Sequence, residues 1–426
     1  MPSLLDVKLK CVDCGVEYAA DRPRYTCDCG GLLDVALDVG ALRGRISTQL
    51  FDSRLGARDL PYSSGVWRFS ELLFSVAAEN LVSAPEGNTH LYESQRLSRW
   101  VGLDSFLLKH EGENPTGSFK DRGMTVGVTV ARLLGARTVA CASTGNTSAS
   151  MAAYAARAGM RALVFVPEGK IAYGKLSQAL AYGATTVQIE GDFDAAMALV
   201  REVAASSPIY LLNSLNPFRL EGQKTIMYEV LQQLRWSVPD WVVVPGGNLG
   251  NSSAFGKALH ELHELGLIGR LPRLAIIQAE GANPLYRAYR NGFSSFAPVQ
   301  AQTIATAIKI GNPVSYTKAK RAIEWTDGVV EQVTDAEIMD AKAQVDAAGV
   351  GCEPASAASV AGTRKLVRAG VILPGEVVVA VLTGHLLKDP DSTVDYHLGK
   401  LESVTPAYPN APLRIKPTLE EVLRLI

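Results

Sequence analysis

The amino-acid sequence predicts an α/β protein whose parallel sheet is covered by helices on both faces. Short apolar runs recur from about residue 105 onward, stretches of helical period separate most of them, and several of those stretches end at glycine. Strand–helix–strand alternation with short links is how parallel neighbours are joined, and it buries both sheet faces. At 426 residues the chain is too long for one ordinary domain and suggests two or three.

The expected strands are 105–108, 138–141, 162–166, 185–189, 209–212, 241–244, 274–278 and 377–382. Helical period covers 118–134, 148–158, 173–181, 193–205 and 218–234, with Gly135, Gly159 and Gly183 as stops. Residues 41 to about 100 are mixed, with helical stretches and the turn signal Pro85-Glu86-Gly87-Asn88. The first forty residues differ from the rest. They hold Cys11, Cys14, Cys27 and Cys29 and short candidate strands at 25–26 and 32–35. A segment this small rarely has enough core to fold unaided. Cys-x-x-Cys and Cys-x-Cys could bind one tetrahedral zinc, although the second pair is one residue tighter than the usual knuckle. The other reading is a metal-free segment, and neither takes part in catalysis. Cys141 and Cys352 stand alone and read as small core residues.

Acidic and basic residues nearly balance, for a formal net charge of −1. That argues against bulk attraction to nucleic acid or an anionic membrane, though a balanced total leaves room for a local basic groove. A homodimer is left open. No stretch has the length of a membrane span, and the N-terminus turns polar too quickly for a secretory signal, so a cytoplasmic address is expected.

Ligands of parallel sheets collect at the carboxyl ends of strands. Four loops there could carry chemistry. The first, Glu113-Asn114-Pro115-Thr116-Gly117-Ser118-Phe119-Lys120-Asp121-Arg122-Gly123, enters a helix. Ser118 and Asp121 fit a capping-box-like start that puts Lys120 in the first turn. Partial positive charge and partial burial there lower an ammonium pKa and make the amine a better imine former and proton shuttle. Taken alone, such a lysine is more often a solvated one. The second loop, Ser143-Thr144-Gly145-Asn146-Thr147-Ser148, suits a carboxylate, and Asn146 could bond a phenolic oxygen; an ordinary N-cap loop is the rival. The third, Pro245-Gly246-Gly247-Asn248-Leu249-Gly250-Asn251-Ser252, lacks both the P-loop ending and the dinucleotide spacing and fits a small phosphate. In the fourth, Leu382-Thr383-Gly384-His385, Thr383 could offer its hydroxyl to a ring nitrogen.

Together these loops resemble threonine synthase, a family within the tryptophan-synthase-like, fold type II group of pyridoxal-phosphate enzymes. The resemblance runs through nearly the whole chain and includes His110-Glu111-Gly112, Ile310-Gly311-Asn312-Pro313 and Glu353-Pro354-Ala355-Ser356-Ala357. One departure is Leu386, where family members commonly have glycine in Gly-His-Gly-Leu-Lys-Asp. The resemblance implies two doubly wound, mostly parallel-sheet domains with the cofactor in the cleft between them, beside the cysteine segment. Residues 1–40 would form that segment, 41–123 with 223–426 the large cofactor domain, and 124–222 a small mobile domain. It implies that Lys120 carries the cofactor as an imine, Asn146 contacts its phenolic oxygen, Gly247, Asn248, Leu249, Gly250 and Asn251 hold its phosphate, and Thr383 faces the pyridine nitrogen. A neutral hydroxyl there leaves that nitrogen largely unprotonated and the ring a weaker electron sink. It further implies that Thr144, Gly145, Asn146 and Thr147 grip the substrate carboxylate, while Asn213, Ser214, Arg219 and Asn248 bind a substrate phosphate. The activity implied, on a small-molecule partner, is conversion of O-phospho-L-homoserine and water to L-threonine and phosphate. The rivals are a cysteate-synthase-like β-replacement on O-phosphoserine, a threonine or serine dehydratase, and a zinc-ribbon binding protein with an inert cofactor domain.

Overall fold

The computed structural model describes Leu4 and residues 7–168, 173–190, 199–200, 202–204 and 206–426. Three sheets organise them. At the N-terminus β1 (Lys8–Cys11), β2 (Glu17–Ala19) and β3 (Leu33–Ala36) form an antiparallel sheet in the order β2-β1-β3. Only Thr26 of the expected strand 25–26 pairs, as an isolated bridge to Leu32.

A six-stranded sheet takes β4 (Leu91–Glu93), β5 (Phe106–His110), β10 (Trp241–Pro245), β11 (Arg273–Ala279), β12 (Val329–Val333) and β13 (Val378–Leu382) in the order β12-β11-β10-β13-β5-β4. All its pairs are parallel except β4 with β5. A four-stranded parallel sheet takes β6 (Thr138–Ala142), β7 (Arg161–Pro167), β8 (Thr185–Ile189) and β9 (Ile209–Leu211) in the order β8-β7-β6-β9. The central strands of these two sheets are buried on two faces, which is why β10 and β13 read as unbroken apolar runs, while the edge strands β8 and β12 are partly exposed. Val242, Val244, Ile276 and Val379 point into one core of the larger sheet, and Trp241, Val243, Ile277 and Val378 into the other.

Every expected strand from 105 onward is present within a residue or two at each end. So are the helices Lys120–Leu133, Asn146–Ala158, Tyr173–Ala181 and Pro217–Gln233, whereas most of the expected helix 193–205 lies outside the described residues. Gly135, Gly159 and Gly183 follow their helices with φ of 74°, 66° and 78°, the left-handed turn a helix stop requires. Cys141 and Cys352 are fully buried.

The expected capping box at Ser118 does not form. Phe119 is the N-cap, in helical conformation and without a side-chain cap, and the buried Ser118 hydroxyl has no partner. The Asp121 carboxylate turns instead to the Thr116 amide at 2.7 Å, the Thr116 hydroxyl at 2.6 Å and the Ser150 hydroxyl. Bonding back to its own loop, it closes that loop rather than the helix end.

Candidate active site

The carboxyl ends of β5, β13 and β6 converge, and the first two are sewn together. The Phe119 amide donates to the Thr383 carbonyl at 3.0 Å, the His385 amide donates to the Gly117 carbonyl at 2.9 Å, and Ser118 bridges Gly384. Beneath them lies a buried ionic cluster. Arg122 forks onto Glu111 with two bonds of 2.7 Å and reaches Glu229 at 2.9 Å, while Lys109 meets Glu229 at 2.6 Å. The helices Lys120–Leu133 and Pro217–Gln233 cross so closely that a methyl on Gly222 would overlap the Arg122 carbonyl oxygen, and one on Gly123 would lie 2.9 Å from that of Arg219. Glycine at both crossing points lets the helix bearing Lys120 run against the helix bearing Arg219.

Lys120 is the first residue of its helix, partly buried, with its Nζ 3.7 Å from the centre of the Phe119 ring. Burial, reinforced by the cation of Arg219 and opposed by the carboxylate of Glu353, pulls its pKa down to about 7. At neutral pH about half of such amines are unprotonated and nucleophilic. Arg219 is 3 % exposed. One nitrogen donates to the Leu212 carbonyl at 3.1 Å, its Nε has no partner, and among the described residues no carboxylate pairs with it. Burial lowers its pKa to about 10, which still leaves it charged. A buried cation without a counter-ion is costly unless a ligand supplies one.

Asn146 opens its helix and donates to both oxygens of Glu353, at 3.0 and 3.3 Å. Thr144, Gly145 and Thr147 are partly exposed in the same loop. The Thr383 hydroxyl lies 3.0 Å from that of Ser356 and donates to Glu353 at 3.3 Å. Glu353 thus spans the two side chains expected at the cofactor ring, and the surroundings of Thr383 are more acidic than a lone hydroxyl implies. Asn213 sits at the end of β9 with its amide bonded both ways to Ala142, accepting at 3.0 Å and donating at 3.1 Å; Ser214 beside it is partly exposed. Leu386 takes up a helical turn, Leu386–Lys388, without left-handed backbone. It packs beside Gly351, where a methyl would lie 3.3 Å from its Cβ.

The first two glycines of the glycine-rich loop have no room for a side chain: a methyl on Gly246 would come within 2.7 Å of Ile276, and one on Gly247 within 3.1 Å of the Ile308 Cα. Leu249 turns left-handed with φ 64°, and the helix Gly250–Glu264 begins at once. Asn248 accepts from Val314 at 3.4 Å, leaving its amide NH2 as donor. The side-chain oxygens of Asn251 and Ser252 are buried without partners. Helix-end amides and an unsatisfied hydroxyl make a cradle suited to a small anion, and an unmade buried bond of this kind costs about 1–3 kcal/mol until something fills it. With a desolvated amine nearby, these residues fit a phosphorylated aldehyde cofactor.

The four N-terminal thiols also gather, all sulfurs lying within 4.8 Å of one another. Sequence reasoning missed three residues here. Glu353 and Ser356 lie in a motif already singled out, but which groups they touch depends on contacts reaching 207 residues. Lys388 bonds Gln178 across to the helix Tyr173–Ala181, and nothing local to it signals that reach.

A lysine at a strand-to-helix turn, with an anion cradle after a parallel strand of the same sheet, is what a pyridoxal-phosphate enzyme requires. The family model for pyridoxal-phosphate dependent enzymes matches residues 82–384. Among solved structures, the processed form of threonine deaminase isoform 2 from Solanum lycopersicum superposes with a TM-score of 0.60 at 22% identity, over 72% of this chain and 88% of that one, a likeness of fold. Threonine synthase of Methanocaldococcus jannaschii is 48% identical over 90% of this chain and 94% of its own length. That of Methanosarcina acetivorans is 50% identical over 91% and 93%, and the chloroplastic threonine synthase 2 of Arabidopsis thaliana 43% identical over 96% and 82%. The chain belongs to the threonine synthases, and its cofactor is pyridoxal phosphate.

Proposed function

We propose that the chain converts O-phospho-L-homoserine and water to L-threonine and inorganic phosphate. The observation that carries the substrate is Arg219, a buried guanidinium with an open Nε, held close enough to Lys120 to depress its pKa. A dehydratase acting on free threonine or serine has no use for such a second anion site.

When bound, pyridoxal phosphate supplies an electron sink conjugated to the substrate Cα. Lys120 anchors it, Asn146 and Thr383 orient it, and the loop from Gly247 to Asn251 holds its phosphate. Thr144, Gly145, Asn146 and Thr147 bind the substrate carboxylate. Lys120, near pKa 7, takes the Cα proton; a Cβ proton also leaves as the Cγ–O bond to phosphate breaks, Cγ gains a proton, and Cα is reprotonated before threonine departs. Arg219, Ser214 and the Asn248 amide bind the ester phosphate and stabilise the charge that grows as its C–O bond breaks. Asn213, with its amide committed to Ala142, supports Ser214 by bracing the loop. Water adds its oxygen at Cβ. Residues 124–222 act as a small domain that closes over the substrate and limits stray water, against a large domain of 41–123 with 223–426.

Among the described residues no helix is long and apolar enough to cross a membrane. The near-balanced charge supports a cytoplasmic enzyme of a small molecule rather than of nucleic acid, and an apolar tail with Leu419, Leu423 and Ile426 exposed supports a homodimer. The four thiols are read as a structural zinc knuckle. The decisive experiment follows phosphate release and threonine formation from phosphohomoserine, with phosphoserine, threonine and serine in parallel. No threonine above a Lys120→Ala control would remove the assignment, and turnover of phosphoserine alone would transfer it to the β-replacement reaction.

A further inference from the structure

We infer that Cys11, Cys14, Cys27 and Cys29 hold one zinc ion that turns the N-terminal finger into a strut, fixing edge strand β9 and the Arg219 side of the substrate site against the six-stranded sheet. This rests on the zinc-knuckle and phosphate-site readings above and adds what the ion does for the site.

Zinc–thiolate bonds of about 2.3 Å in a tetrahedron set neighbouring sulfurs about 3.8 Å apart. The sulfurs of Cys11 and Cys29 are 3.6 Å apart, those of Cys14 and Cys27 3.5 Å, and those of Cys14 and Cys29 3.5 Å. Disulfide sulfurs stand about 2.05 Å apart, and all four cysteines are free. Two tight turns deliver them. The Gly15 amide donates to the Cys11 carbonyl at 3.1 Å and the Gly30 amide to that of Cys27 at 2.9 Å. A methyl on Gly31 would come within 2.7 Å of the Cys11 sulfur, so the two turns close on each other with no side chain between them.

The finger is bolted down at one end. Lys318 donates to the Leu33 carbonyl at 2.6 Å and pairs with Asp34 at 2.8 Å, Arg321 reaches Asp34 at 2.5 Å, and Lys257 donates to the Val35 carbonyl at 2.5 Å. Lys257 stands on the helix Gly250–Glu264 that begins at the glycine-rich loop. The other end is Tyr25, two residues before Cys27. Its hydroxyl accepts the Leu211 amide at 2.7 Å, and its ring meets Tyr210 edge-on at 5.9 Å. Strand β9 is the edge of its sheet. Tyr25 therefore takes up an edge amide one residue before the Leu212 carbonyl that anchors Arg219 and two before Asn213. Three strands of three or four residues have little core of their own; Leu9, Leu33 and Val35 share one with Trp67 and Phe218, and the two cysteine turns that carry Tyr25 are held by the ion.

The test uses full-length, cofactor-loaded enzyme from zinc-supplemented medium, purified without chelators. Elemental analysis is expected to find one zinc per chain, and cobalt in its place to show thiolate charge-transfer and tetrahedral ligand-field bands. Zinc-loaded, zinc-stripped and zinc-loaded Tyr25→Phe enzymes are then compared for affinity toward inorganic phosphate and for KM and kcat on phosphohomoserine. Stripping is expected to weaken phosphate binding and raise KM about tenfold, and Tyr25→Phe about fivefold with zinc retained, the worth of roughly one hydrogen bond. In both cases kcat/KM falls at least as far as the phosphate affinity, and zinc-loaded Cys14→His, which keeps a ligand, retains tight phosphate binding. Less than about a tenth of an equivalent of zinc with no cobalt spectrum overturns the metal site. A full equivalent with unchanged phosphate affinity after stripping overturns the strut. Because inorganic phosphate is the probe, failure to turn over phosphohomoserine counts against the substrate alone.

Discussion

With Lys120 as the proposed cofactor anchor, its depressed pKa makes attachment to the apoenzyme a titration. An ordinary lysine at 10.5 is neutral in about one molecule in three thousand at pH 7; at about 7 it is neutral in half, a gain of about 1,500-fold in reactive amine. Neutral amine accumulates as pH rises, so the rate of covalent attachment of pyridoxal phosphate, followed by absorbance and borohydride trapping, should climb about tenfold per unit below pH 7 and level off above about 8. Two substitutions split the cause. Arg219→Met removes a like charge and should move the midpoint up; Glu353→Gln removes an opposite charge and should move it down. The same shift sets a stability slope. Between about 7 and 10.5 the unfolded chain binds a proton the folded one does not, so apoenzyme stability rises with pH across that window and is lowest below it. Attachment that keeps accelerating tenfold per unit from pH 8 to 10 would refute the reasoning, as would shifts of the same sign in the two variants.

Arg219→Met should lower kcat/KM on the phosphorylated substrate about 10- to 150-fold, the loss of one charge-assisted bond at about 1.5–3 kcal/mol, while leaving the denaturant midpoint of the apoenzyme unchanged or higher because a buried unpaired cation is gone. Gly222→Ala forces the two site helices apart against the Arg122 carbonyl and should cost about 3 kcal/mol, the upper end for overpacking, read from urea unfolding. Glu229→Gln leaves Lys109 and Arg68 without their carboxylate partner and Arg122 with Glu111 alone, and should cost about 3–5 kcal/mol by the same measurement.

Much of this site is legible in the sequence because parallel sheets present ligand groups where strands end. Lys120, Asn146, the loop from Gly247 to Asn251 and Thr383 each follow an apolar run that is a strand. Arg219 was accessible through Asn213 and Ser214. What escaped depends on distance along the chain or on weak local pattern. Strand β12, Val-Val-Glu-Gln-Val, is an edge strand with partly exposed positions and lacks the unbroken apolar run of its neighbours. Strand β4 is three residues long and reversed. Ser118 has the spacing of a cap, but the bonds Asp121 makes to Thr116 and Ser150 win, and no local motif reveals that Ser150 stands there. Tyr25 meets Leu211 across 186 residues of sequence.

The strand order β12-β11-β10-β13-β5-β4 has a consequence for synthesis. Strand β13 leaves the ribosome last of the six yet sits between β10 and β5, and the lysine loop is stitched to the residues that follow it. Until residue 382 has emerged, two apolar strand edges that belong to the middle of the sheet lack their partner, a hazard for a nascent chain. The cofactor pocket is completed after translation of its last strand rather than along the way, so fragments that stop before Val378 should emerge colourless and prone to clump, and intact yellow enzyme should appear only in step with finished chains.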